Sequence, residues 1–219
     1  MTSDLRILRT ISLVLVLMAS TSVSASLFGF GKESWKEEVL LHDGQKLIIE
    51  RSRTRGGNHE LGQESPVAEE KLSFTLPNKH EVITWKTKHD PRPSGLFDPQ
   101  LVLLAVDIIH GTPFIVTTTT TCSSYNNWDR PNPPYVLFKF VDRVWQRIPL
   151  AELPLEITGA NVVINPDVSP YRLATHWGVV SADEVKKLNE DREQEDVRYL
   201  RLFVRKSINN ADTNCSKFE

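Results

Sequence analysis

Residues 37–50 read EEVLLHDGQKLIIE. Two apolar runs, Val39–Leu41 and Leu47–Ile49, flank the dipeptide Asp43-Gly44. Asp-Gly accepts the positive φ angles of a tight chain reversal, because glycine has no Cβ to clash there. The stretch predicts a β-hairpin with a two-residue loop, pairing Leu40 with Leu47 and Val39 with Ile48. Apolar residues fall on both of its faces, which predicts cover on both sides.

The same grammar recurs along the chain. Leu72, Phe74 and Leu76 alternate with Lys71, Ser73 and Thr75. Pro77-Asn78-Lys79 turns the chain, and Ile83 and Trp85 continue the alternation, as in a half-buried hairpin. Leu101–Ile109 is an apolar run interrupted by Asp107, and His110-Gly111-Thr112-Pro113 breaks it. The return, FIVTTTTTC (114–122), is β-branched and reads as strand. Tyr135–Val141 reverses at Asp142-Arg143 into Val144–Ile148, placing Phe140 opposite Trp145. Ile157–Ile164 reads as one more strand, stopped by Asn165-Pro166. Residues 51–70 are polar and glycine-bearing and read as a surface loop; 86–100 is a proline-rich connection.

Near the end, Ser181-Ala-Asp-Glu184 has the form of a capping box, and Val185 and Leu188 follow at helical spacing. A helix is expected from Ala182 into the 190s. Residues 197–206 fit either state: Leu200, Leu202 and Val204 alternate like a strand, and Leu200, Phe203 and Val204 fit the helix adopted here. The fold expected is mainly β, an antiparallel hairpin meander forming a sandwich or open barrel, with a C-terminal α-helix.

The N-terminus has its own pattern. Arg6 and Arg9 precede the apolar run Ile11–Ala19. That run is too short for a bilayer, which needs about 20 residues. Val23-Ser24-Ala25 supplies compact residues where a signal peptidase reads. Residues 1–25 are expected to be a cleaved signal peptide, 26–35 a linker, 36–165 a β-rich domain, and 166–219 an α-containing C-terminal segment packed on or tethered to it. The mature chain is then soluble, periplasmic or secreted, with no integral membrane segment. Cys122 and Cys215 are the only cysteines. Export predicts a disulfide between them; two separate thiols are the alternative. The 26 basic and 28 acidic residues leave a formal charge of −2 and are interspersed. No broad basic field for nucleic acid follows from them.

Motifs of known chemistry are missing: there is no phosphate loop, no G-x-S-x-G, no H-E-x-x-H and no calcium loop. The 6 histidines are spread out, with no pair at helical i, i+4 spacing. No metal and no cofactor are expected. Asp107 is the odd carboxylate, set in a run expected to be buried, where a charge must find a partner or shift its pKa. It either points outward, pairs with an arginine, or marks a site. Thr117–Thr121 reads as an exposed or edge strand, with a hydroxyl ladder as the binding alternative. Arg51, Arg53 and Arg55 project from one face of an extended strand. They suit an acidic glycan or phosphate, although Glu50, Glu60 and Glu64 point to a mixed solvated surface.

The stretch CSSYNNWDRPNPPY (122–135) reads two ways. Tyr125, Asn127, Trp128 and Arg130 on a proline-stiffened loop have the chemistry of a recognition surface. The same residues suit a self-packed loop, with Trp128 folded onto the sheet. Together WKEEVLLHDG (35–44), SYNNWDRPNPPYVLFKF (124–140) and WQRIPLAELP (145–154) resemble a group of uncharacterised exported bacterial proteins. The resemblance implies export but carries no activity and no catalytic residue.

Three functions are open. The first is a non-enzymatic binding or structural protein of the cell envelope, with an envelope protein or glycan as partner. The second is an envelope hydrolase with a site near Asp107, His110 and the 122–135 loop. The third is an inhibitor of an exported enzyme.

Overall fold

The computed structural model describes residues 32–55, 67–77, 79–88, 101–119, 121–164, 178–190, 201–207 and 215. The expected signal peptide, Asn165-Pro166 and most of the 86–100 connection lie outside them. Eight strands form two four-stranded antiparallel meanders. The first contains β1 (Lys32–Leu40), β2 (Lys46–Arg55), β3 (Val67–Thr75) and β4 (Val82–Lys88), in that order. The second contains β5 (Leu101–Ile109), β6 (Thr112–Thr119), β7 (Tyr135–Val141) and β8 (Val144–Ile148). Helix α1 (Cys122–Asn127) joins β6 to β7, and α2 (Ala182–Glu190) follows the sheets.

The two sheets share one core. Val39, Ile49, Leu72, Phe74, Ile83 and Trp85 of the first pack with Leu103, Val106, Ile115, Val136 and Phe138 of the second. This is a sandwich, because alternation puts one apolar face of each sheet inward. The first sheet turns polar side chains outward, including Lys36, Lys46, Glu50 and Lys86. The second is covered on both faces: Leu153, Ile157 and Ile164 pack against Leu104, Phe114, Val116 and Leu137. Cover on both faces explains why β5 is apolar on both of its faces apart from Asp107. A bulge between Leu103 and Ala105 shifts that strand's parity, so Leu103 and Val106 both reach the shared core.

Several expectations need correction. The first hairpin pairs Val39 with Leu47 and Leu40 with Lys46, so the register is one residue off the expected one. The loop has three residues, His42-Asp43-Gly44, and Gly44 at φ 83° follows the turn closed by its N–H to Leu41 O. The hairpin is covered on one side only, since Leu40 and Ile48 are about half exposed. β1 begins at Lys32, inside the expected linker, because buried Trp35 anchors it. β2 runs to Arg55 and β3 starts at Val67, so both ends of the expected 51–70 loop are strand. Residues 157–164 form no strand; they feed Ile157, Val162 and Ile164 into the cores as irregular chain. Of the threonine run, Thr117 and Thr118 are buried and not on an edge, since β6 lies between β5 and β7; Thr121 is exposed beyond the strand, and Thr120 lies outside the described residues. Within β6, Thr117 and Thr118 donate to Val136 O and Pro134 O. For residues 197–206 the helix reading does not extend past Arg201: Leu202 makes an antiparallel bridge to Gly159, 203–206 are irregular, and 197–200 lie outside the described residues.

Other expectations hold. Phe140 pairs with Trp145, ring centroids 5.1 Å apart, across Asp142-Arg143, both with positive φ. The capping box forms: Ser181 Oγ accepts from Glu184 N, and Ser181 N donates to Glu184 Oε2. Cys122 and Cys215 are joined by a disulfide. Among the described residues no helix is long and apolar enough to cross a membrane.

Candidate functional site

Asp107 is the residue from which the site is built. It is 4 % exposed, and a carboxylate at that depth needs donors. The first hairpin supplies them. His42 donates its backbone N–H to Oδ2 at 3.1 Å and its ring Nδ1 contacts Oδ1 at 2.8 Å, while Ile108 N donates to Oδ1 at 2.7 Å. The three-residue loop makes this possible by turning His42 out of the β1 register toward β5. The hydrogen bond to Asp107 raises the His42 pKa; burial opposes this, and the charges of Asp107, Asp43 and Glu156 add to it. With Nδ1 held, Nε2 is the free ring nitrogen, and it makes no hydrogen bond among the described residues.

The pair stands on the wall of a cleft of about 600 Å³. Its other walls are residues 156–161, α2, and Arg201-Leu202. Each wall is pinned. Asn161 donates to Leu40 O and Val106 O and accepts from Val106 N, tying the edges of β1 and β5 together. Buried Asn189 accepts from Ile164 N and donates to Val162 O, which fixes α2 to the irregular segment. Gly159 lets the 201–203 strip approach: a Cβ there would lie 2.5 Å from Arg201 O. Ala160 N donates to that same oxygen at 2.9 Å.

α2 also roofs a buried ion network on the covered face of the first sheet. Arg51, fully buried, donates to Glu37, Glu70 and Val163 O. Arg53 donates to Glu70, and both guanidinium groups stack over Trp35, at 5.0 and 5.2 Å. The one-face reading of Arg51 and Arg53 is therefore right in geometry, but the face is interior. Their charges are matched by Glu37 and Glu70, which corrects the anion-gripping and solvated-surface expectations alike.

The residues expected to act together do not meet. Asp107 partners His42, whereas His110 is exposed in the β5–β6 turn at φ 50°. α1 follows the far end of β6, roughly 25 Å from that turn for an eight-residue strand. In the 122–135 stretch, Tyr125 is buried and Arg130 lies over its ring. Arg130 also donates to Asn126 and to Cys215 O. Trp128 packs edge-on against Phe138, and Asn127 is half-buried at the end of α1. Among the described residues no three His, Cys, Asp or Glu side chains converge as a metal site.

Sequence reasoning missed His42 and Arg201. For His42 a signal existed: a buried Asp107 demands a partner, and hairpin loops carry free donors. Arg201 had none, because its position depends on the Gly159 contact. No protein-family model, no curated protein and no solved structure matches this chain.

Proposed function

We propose that the protein is an exported, non-enzymatic small-molecule-binding protein of the cell envelope. The observation that carries this reading is the cleft between the first hairpin, residues 156–161 and α2. Its volume lies within the usual range for small-ligand sites, about 300–1,000 Å³. Apolar Leu41, Ile157 and Val185 line its interior, and polar and charged side chains stand around them, which can orient a ligand. The disulfide fits an oxidising compartment, and the N-terminal pattern supplies the route there. Glycan or protein capture by the 122–135 stretch has less support, since Tyr125, Trp128 and Arg130 are engaged internally. The inhibitor reading needs that stretch to protrude and meets the same objection.

The His42–Asp107 pair favours a second reading, a hydrolase in which His42 Nε2 activates water. Asp107 holds the ring as general-base chemistry requires.

One experiment addresses both. Protein isolated natively from envelope extract is denatured, and released small molecules are compared with those from an Ala160→Trp variant whose cleft is filled. A molecule released by the wild type and missing from the variant is expected. Its absence from both, with turnover of an envelope substrate that His42→Ala abolishes, favours the hydrolase.

A further inference from the structure

Three observations at the cleft lack a protein explanation. The Arg201 Nε is buried without a hydrogen-bond partner, and the Arg201 guanidinium makes its one described contact with Glu190 O, at 3.4 Å. The Nε atom is closed to water and so to a cleft ligand as well; the part of the guanidinium that can take an acceptor is its Nη edge, which has no carboxylate partner among the described residues. His42 Nε2 is the second unmatched nitrogen on the same cleft. The third observation is Leu40 and Leu202, which are 48 % and 57 % exposed and both line the cleft.

We propose that the cleft binds a small amphipathic monoanion, with a carboxylate held by Arg201 and an apolar body laid along Leu40 and Leu202. This rests on the small-molecule-binding reading and specifies its ligand. A planar guanidinium matches a carboxylate in geometry and charge. The surrounding charges set the size of the head. Glu156, Asp183 and Glu190 are exposed on the cleft, and Lys186 is the other cation there. Lys186 lies 3.9 Å from Glu190 and is partly neutralised. The rim is thus acidic, which opposes a dianionic head such as a phosphate monoester more than a single carboxylate. Water screens the rim acids, so the close contact between the guanidinium and a carboxylate prevails over the rim.

The test uses octanoate, octanol and octylamine, which share one apolar body and differ in the head. Binding to the full mature chain is followed by amide shifts at Val185 and Asn189 in two-dimensional NMR. Octanoate is expected to bind at least tenfold more tightly than octanol, the effect of one charge-assisted hydrogen bond. Arg201→Gln should remove that preference while octanol binding stays. Arg201→Lys, which keeps charge but loses the planar guanidinium fork, should retain only part of it. Unchanged unfolding midpoints show that both variants are folded. Equal binding of octanoate and octanol to the wild type, tighter binding of octylamine, or an octanoate preference that survives Arg201→Gln overturns the carboxylate assignment and leaves the cleft reading standing. No shift with any of the three overturns both.

Discussion

Glu70 accepts hydrogen bonds from Arg51 and Arg53 with almost no access to water. Burial pushes its pKa up, but the two guanidinium charges outweigh that and hold it below the ordinary carboxylate range. It therefore stays ionised. Glu70→Ala leaves two buried arginines facing Glu37 alone, with Arg53 stripped of its carboxylate, and should cost about 3–5 kcal/mol in urea unfolding. A loss below about 1 kcal/mol would show that water already reaches the network. The two titrating sites have opposite signs. A depressed Glu70 pKa stabilises the fold above the ordinary value near 4.5, and that is lost as pH falls through the folded value. A raised His42 pKa stabilises fully below about 6.5 and is lost as pH rises through the folded value. The gap in melting temperature between wild type and His42→Ala should shrink from about pH 5.5 to about 8.5. A gap that stays constant over that range removes the charged pair from the stability argument.

Among the elements, the strip around Gly159 is the most sensitive. Gly159→Ala sets a methyl group against Arg201 O and should break the 159–202 bridge, with a loss of roughly 1–3 kcal/mol. The shift should appear first in the amides of Ala160 and Phe203, which bond across that strip. Unperturbed amides there would show that the strip yields without strain. This contact also marks where sequence stops being informative. Hairpins were legible because alternation and turn residues are local: Asp142-Arg143 placed Phe140 on Trp145, and Ser181 with Glu184 announced α2. What failed was set from a distance. Arg51 and Arg53 read as surface because their partners, Glu37 and Glu70, sit on other strands. Thr117 and Thr118 read as edge because their acceptors lie on β7 and in the turn before it. Residues 157–164 have strand composition, but Asn161 spends its side chain joining two sheets, which ordinary pairing would not permit. The candidate cleft was invisible for the same reason, since its walls come from segments over a hundred residues apart.

For the molecule as a whole, the disulfide is the longest-range covalent constraint, spanning 93 residues. It fixes Cys215 beside α1, where Cys215 O accepts from Arg130. In the chain-entropy view a loop of that length stabilises by up to about 4.7 kcal/mol. Cys122→Ser with Cys215→Ser should therefore lower stability measurably, up to that ceiling, and speed proteolysis near the C-terminus. Equal stability with and without the bridge would mean that packing alone holds the tail.

Asn161, which ties β1 to β5, and Val180, which bridges to Glu37 beside it, also occupy a surface that sandwiches must guard. β1 and β5 are edge strands, and a bare edge is a template for another chain. Val180 N donates to Lys36 O and Val180 O accepts from Glu38 N, while Asn161 takes Leu40 O, Leu104 O and both polar groups of Val106. Along that side of the sandwich, successive backbone positions are thus already engaged. A neighbouring copy would meet those positions already filled, so the chemistry that walls the cleft also shortens the stretch of edge open to strand-to-strand pairing.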